Sequence, residues 1–457
     1  MAGGTWASQN KVLPGVYINT RSQGSARASV GDKGIVAIAE PLSWGPSGVL
    51  REIIPGEDTT PYIGYDITHE KAMFLREMMK GSDVTAGPIK IRLYRLAGTG
   101  GAKAAAVIGD LTVTALYEGV RGNDISVIIA EDPDMEGSFI VSTVVDGAVA
   151  DERSVTKISE LKANSWVAFS GQGAESSEGS LTATAGQTLT GGVDPTVSPG
   201  DHAAFLTAVE PFRFDILVYD GTDKATIQAY AAFVERLSNR VGLKCQAVMA
   251  GASDCDSDRV ISVNNGVKLS DGTILTPQRA TWWLAGAEAG ARYNQSLTYT
   301  RYPGAVEASP KKTDAEAEEA IRKGEIVFID NFDTVKVCTD INTLTSFTPD
   351  KGQEYSKNRV IRVLDQFCYD AYRQFSLYYI GKTDNDDNGR NLLRGWIIGY
   401  LGEMMANGGI RDFEPDDVTV EQGDTVDSVL ITVAIHPVDS VEKIYVNVTV
   451  SVSAETE

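Results

Sequence analysis

The sequence contains no apolar run near the roughly 20 residues that a bilayer-crossing helix needs. Its opening, Met1-Ala-Gly-Gly-Thr-Trp-Ala7, has no basic stretch followed by an apolar one, so no secretory signal is expected. Histidine is scarce: His69, His202 and His436 lie far apart, which leaves few ways to build a zinc site or a His-dependent triad. The four cysteines (Cys245, Cys255, Cys338, Cys368) form no C-x-x-C pair and read as buried, reduced thiols. Positive charge is also short, with 41 Lys and Arg against 62 Asp and Glu and a net charge of -21. Nucleic-acid binding needs a basic face to displace counterions, so that class is excluded.

Catalytic motifs are missing as well. No Gly-x-Ser-x-Gly elbow occurs. Gly381-Lys382-Thr383 imitates the end of a phosphate-binding loop, yet the glycine required five residues earlier is Ser376, and a helix precedes it. Asp384-x-Asp386-x-Asn388-Gly389 begins like a calcium loop, but the position of its bidentate glutamate holds Gly395; Asn388 reads instead as a helix N-cap. Asp254-Cys-Asp-Ser-Asp258 gathers carboxylates without a glycine turn and reads as an exposed loop. Gly98-Thr-Gly-Gly101 reads as a hinge. No catalytic set and no cofactor are expected.

What is present is an ordered change of pattern along 457 residues, long enough for two to four domains. Residues 1–30 form an extended arm with one short strand, Val16-Tyr17-Ile18. Residues 31–103 read β-α-β: a strand at 34–39, a helix capped by Thr68 and stopped by Gly81, and the alternating strand Ile89–Tyr94. Residues 104–193 turn all-β, with runs at 107–116, 124–130, 138–146, 166–169 and 181–189 separated by Gly, Asn and Asp, as in an inserted β-sandwich. Over 194–350 strands alternate again with helices, which predicts a mainly parallel sheet covered on both faces. Thr276-Pro277 and the capping box Thr313-x-x-Glu316 mark two helix starts there. Residues 351–440 hold two long helices, at 356–380 and 389–405, and a strand at 428–435; residues 441–457 are a second arm.

Two features have no local explanation. Ile444, Val446, Val448, Val450 and Val452 alternate with Tyr445, Asn447, Thr449 and Ser451, a strand of about 30 Å that needs partners for its backbone and its valine face. Strand 430–435 offers one side as a hairpin, and the basic N-terminal arm is a candidate for the other. The arms differ in charge: Lys11, Arg21, Arg27 and Lys33 against Asp32 at one end, eleven acids against Lys443 from Asp412 onward at the other. The second feature is the helix from Gly389. Leu392, Leu393, Trp396, Ile397, Tyr400 and Met404 form its apolar stripe, while Gly395, Gly399 and Gly402 recur on it at about 1 kcal/mol each relative to alanine, which points to close contact with another surface.

Leu13-Pro-Gly-Val-Tyr17, Asn294-Gln-Ser-Leu-Thr-Tyr299, Ile341-Asn-Thr-Leu-Thr345, His436-Pro-Val-Asp439 and Val441-Glu-Lys-Ile-Tyr445 together resemble the contractile tail sheath proteins of myophages and phage-tail-like particles. The N-terminus is most similar to sheaths of Gram-positive phages and defective prophages. The resemblance implies a subtilisin-like α/β sheath core, an inserted β-sandwich facing outward and an α+β C-terminal domain near the tail tube. No Gly-Thr-Ser-x-Ala nucleophile segment occurs, so no protease activity carries over. It further implies a homopolymer of stacked six-fold rings, made in the bacterial cytoplasm, with tail tube, baseplate and tail terminator proteins as partners. Inter-subunit strand pairing then falls on Val16, Tyr17, Ile18, Ile444, Tyr445, Val446, Asn447, Val448, Thr449 and Val450, and tube contact on Arg390 and Arg394. Two rival readings stand beside it: a serine hydrolase on the same core, and another phage part such as a baseplate protein or adhesin.

Overall fold

The computed structural model describes residues 3–4, 16–17, 33–171 and 180–450. At its centre lies a seven-stranded sheet in the spatial order Leu50–Ile53, Lys90–Arg95, Ile35–Glu40, Ile216–Tyr219, Gln246–Ala250, Val260–Val263 and Glu325–Ile326. Numbered by chain position, that order is 2-3-1-4-5-6-7. Every neighbouring pair is parallel except the edge strand Leu50–Ile53, which runs antiparallel to Lys90–Arg95. The unbroken apolar run Ile35–Ala39 is what a strand buried on both faces requires. Val36, Ile38, Ile216, Val218 and Val248 pack on one side with helices Met73–Met79 and Pro277–Gly290. Ile35, Ala37, Leu217, Ala247 and Met249 pack on the other with helices Pro199–Val209 and Lys224–Arg236.

Local signals start these helices. The Thr276 side chain accepts from the Arg279 N–H ahead of Pro277, and Thr313 with Glu316 closes a full capping box. Helix Pro277–Gly290 packs closely on Met73–Met79 and the loop after it: a Cβ on Gly286 would lie 1.9 Å from the Met78 carbonyl oxygen, and one on Gly290 1.8 Å from that of Ala86 in the loop. The two glycines let backbone meet backbone.

The all-β section forms two sheets. One has the order Ala148–Val155, Phe139–Val145, Ile125–Glu131, Thr184–Thr188; the other has Val167–Gly171, Leu111–Glu118, Lys103–Ile108. Their inner faces share a core that includes Val113, Val127, Val141 and Trp166. The chain enters and leaves through an antiparallel stalk, Thr99 opposite Thr196, Ala102 opposite Val193 and Ala105 opposite Thr190. Arg121 fastens the sandwich to the α/β body. Fully buried, it donates to Asp146 at 2.7 and 2.6 Å and to the Gly64 carbonyl at 2.9 Å, with its guanidinium 4.2 Å from the Tyr65 ring centroid.

The last section consists of helices Asn358–Tyr378 and Asp387–Ala406 and the hairpin Val418–Gln422/Val429–Val433, packed around Val363, Ile397, Tyr400, Leu401 and Met404. Near the N-terminus, Gly3–Gly4 pairs in parallel with Val16–Tyr17.

Several expectations need correction. The run 107–116 is two strands of a hairpin broken at Gly109, and strand Ala148–Val155, too polar to read as one, completes the sandwich edge. His69 rather than Thr68 caps the first helical turn, and Asp386 rather than Asn388 caps the last helix, accepting from the Gly389 N–H at 2.8 Å. The carboxylates at 254–258 do not form a free loop. Asp256 accepts from the Thr345 and Ser346 N–H groups at 2.7 and 3.0 Å, and Asp258 is buried between Lys351 and Arg259. Of the cysteines only Cys245 is buried; Cys255 and Cys338 are half-buried, and Cys368 is exposed.

Candidate assembly surfaces

The C-terminal arm departs most from expectation. Strand 429–433 pairs with Val418–Gln422, not with the arm. Residues 441–450 form no strand within the described chain, and Ile444, Tyr445, Val446, Val448 and Val450 are 74–89% exposed. Asn447 and Thr449 are exposed too. The remainder of the expected strand, from Ser451, lies outside the described residues. An alternating run with this much exposed apolar surface has the pattern of a sheet strand but joins no sheet among the described residues. Of the N-terminal pairing residues, Val16 and Tyr17 are in the short parallel pair, and Ile18 lies outside the described residues.

The arm has a defined root. A bridge joins Ile410 and Pro437, the Arg411 N–H donates to the His436 carbonyl at 2.9 Å, and the Val438 N–H to that of Gly409 at 3.0 Å. Glu442 is then held by two donors, the Lys357 ammonium at 2.5 Å and the Thr298 hydroxyl at 2.9 Å. Glu442 is the last described residue of the arm with side-chain contacts of this kind to the body; from Lys443 onward every described residue is exposed.

Behind the root lies a buried ionic junction between the central body and helix Asn358–Tyr378. Arg362 donates to Asp340 at 2.6 Å, to Glu288 and to the Gln295 carbonyl. Arg259 donates to both oxygens of Asp365 at 2.9 and 2.7 Å. Burial pushes the Glu288 carboxyl well up, with the Asp340 charge adding to it. Burial opposes Asp340 in the same way and is the largest single influence, but the Arg362 guanidinium, the Glu288 carboxyl and the Leu297 N–H together hold that carboxyl below its ordinary value.

Helix Asp387–Ala406 presents an open face. Leu393, Ile397, Tyr400, Leu401 and Met404 are buried, while Leu392, expected in the stripe, is 62% exposed. A Cβ on Gly395, Gly399 or Gly402 would meet nothing within 4 Å, so none of the three serves packing inside the described chain. Arg390 donates to Asn385 and Asp387, and Arg394 to the Val418 and Pro415 carbonyls. Both guanidiniums thus brace their own domain.

Among the described residues, no group of three His, Cys, Asp or Glu side chains could hold a metal ion, and no helix is long and apolar enough to cross a membrane. His202 Nδ1 meets the buried Tyr230 hydroxyl at 3.0 Å, and His69 Nδ1 accepts from the Lys71 N–H, so neither nitrogen meets a serine or cysteine. Lys382, in the loop that imitated a phosphate site, donates back to the Leu377 carbonyl and closes a helix end.

A sheet covered on both faces, an inserted sandwich and an arm that pairs with no strand among the described residues make up the chain. Comparison with known proteins supplies the class. Four family models match in succession: the tail sheath protein Gp18 domain III N-terminal region over 33–96, the phage tail sheath protein beta-sandwich domain over 98–194, the phage tail sheath protein central domain over 196–343 and the phage tail sheath C-terminal domain over 350–451. The phage-like element PBSX protein XkdK of Bacillus subtilis is 34% identical over 99% of this chain and 100% of its own. The sheath tail protein of Desulfitobacterium hafniense superposes with a TM-score of 0.85 at 43% identity, covering 96% of this chain and all of that one. The contracted helical sheath protein of the anti-feeding prophage shares the fold, with a TM-score of 0.57 at 14% identity over 96% of this chain and 99% of its own. The chain belongs to the phage tail sheath family, and is a structural component of a phage tail or phage-tail-like particle.

Proposed function

We propose that this chain polymerises as stacked six-fold rings around a tail tube, and that contraction of the polymer drives the tube through a bacterial envelope. The observation that carries this reading is the arm at 441–450, patterned as a strand and left exposed by its own chain. The hairpin Val418–Gln422/Val429–Val433 is a two-stranded sheet with open edges, and such a sheet is marginal alone. A neighbour's arm through Ile444–Val450, with Val16, Tyr17 and Ile18 of an N-terminal arm, would complete it by strand addition. A ladder of backbone hydrogen bonds tolerates large reorientation of the bodies it joins, so subunits can move outward as nearly rigid units while staying tethered. The buried charges joining the central body to helix Asn358–Tyr378 support that rigidity.

The same reading includes a subtilisin-like core, supported by the strand order 2-3-1-4-5-6-7 with helices on both faces. It also includes an outward sandwich at 104–193, supported by the stalk. The tube would meet helix Asp387–Ala406 across its open glycines, with Arg390 and Arg394, in its first two turns, as the contact residues. Assembly in the host cytoplasm, with baseplate and terminator proteins at the two ends of the polymer, completes the proposal.

Deleting 441–457 tests it. The truncated chain should keep its folded body by circular dichroism and melt like the full chain, yet give no tubes or stacked rings by electron microscopy. Polymers of unchanged geometry would sink the strand-sharing reading.

A further inference from the structure

We propose that Glu442 is the positioning residue of the C-terminal arm, fixing the point and direction in which its strand leaves the body; the inference rests on the strand-sharing reading above. The Glu442 carboxylate is gripped on both oxygens, Oε2 by the Lys357 ammonium at 2.5 Å and Oε1 by the Thr298 hydroxyl at 2.9 Å. The Lys357 and Glu442 side chains are only 22% and 15% exposed, so the pair is better shielded than an ordinary surface ion pair. Lys357 occupies the N-cap of the 21-residue helix Asn358–Tyr378, where the helix dipole also favours an anion.

The second donor ties the grip to the interior. Thr298 Oγ1 donates to Glu442 and at the same time accepts from the Asp340 N–H at 3.0 Å. Asp340 is the carboxylate that Arg362 holds in the buried junction. Glu442 is therefore attached through Thr298 to the buried ionic junction, and the exposed run of the arm begins at Lys443. An arm fixed at its root samples few directions, which lowers the ordering cost of adding its strand to a neighbour. An arm released at Glu442 would instead swing from near Val438, with four further residues of slack.

The test uses the full-length chain. Glu442→Ala, and the near-isosteric Glu442→Gln that keeps a partner for Thr298, should fold and melt like the parent. A spin label at position 444 should tumble more freely in Glu442→Ala than in the parent, while the melting of the body is unchanged. The critical concentration for polymerisation should rise about tenfold, the size expected for losing one such restraint of about 1.4 kcal/mol, and the resulting sheaths should scatter in rise and rotation. Exchanging the charges (Lys357→Glu with Glu442→Lys) should recover much of what Glu442→Lys alone loses. Wild-type critical concentration and wild-type geometry in both Glu442→Ala and Glu442→Gln would overturn the proposal, as would a folded charge-exchanged chain no better than Glu442→Lys. If truncation at 441 abolishes polymers while these variants behave as wild type, only the Glu442 role falls. If truncation changes nothing, strand sharing falls and this role falls with it.

Discussion

Arg362 stands between two carboxylates whose environments push them in opposite directions, and that contrast is measurable. The Glu288 carboxyl is raised, so its contribution to stability is full below the ordinary glutamate range and is lost as pH climbs through the raised value. The Asp340 carboxyl is depressed, so its contribution is present above the ordinary aspartate range and disappears as pH falls through the lowered value. Glu288→Gln removes the group that resists ionisation and keeps an acceptor for Arg362. Its melting temperature should match the parent near pH 5 and exceed it near pH 9. Asp340→Asn strips Arg362 of its ionised partner and should cost about 3 kcal/mol at pH 7, with the gap closing as pH drops below 4. A Glu288→Gln chain that loses stability with rising pH as the parent does would show that Glu288 is not the group responsible.

At the scale of elements, glycine has two meanings in this fold, and alanine substitution separates them. Gly286 lies where two helices touch backbone to backbone, so Gly286→Ala must push Pro277–Gly290 off Met73–Met79 and should cost about 3 kcal/mol by urea titration. Gly399 faces open space, so Gly399→Ala should instead stabilise the isolated chain by up to about 1 kcal/mol. If that face meets the tube, the same methyl will hinder assembly, and better folding with poorer sheaths is the expected result. Sequence pattern could read part of this architecture. Caps act within one turn, so Thr276-Pro277 and Thr313-x-x-Glu316 announced their helices, and continuous apolar runs announced the buried parallel strands. What depends on tertiary partners was not legible. Ala148–Val155 carries Asp151, Glu152 and Arg153 because it is a sandwich edge, and Asp256 reads as loop filler until Thr345 and Ser346 are brought to it. In the last helix the apolar stripe is rotated slightly, putting Leu401 inside and Leu392 outside. Of the assembly surfaces, the arm's alternation was plain in the sequence. Its grip on the body through Glu442 was not, because Lys357 and Thr298 are distant in the chain.

For the whole molecule, the stalk makes a strong claim about independence. Ala105 and Thr190 exchange backbone hydrogen bonds of 2.8 and 3.0 Å, the arrangement a two-residue hairpin turn closes. Replacing 106–189 with Asn-Gly should therefore join the two stalk strands without disturbing the sheet below. The excision takes Arg121 with it and uncovers Trp44, which packs 4.9 Å from Trp166 in the sandwich core, so Trp44→Ser belongs in the same chain. Every strand of the central sheet, both of its helical layers, the ionic junction and the arm root lie outside the removed segment. The shortened chain should fold cooperatively, and because neither the arm nor its acceptor hairpin is touched, it should still polymerise into sheaths of smaller outer diameter. A soluble, folded body that no longer assembles would place a required inter-subunit contact on the sandwich. An aggregated product both with and without the Trp44→Ser change would show that the α/β body depends on the inserted domain to fold.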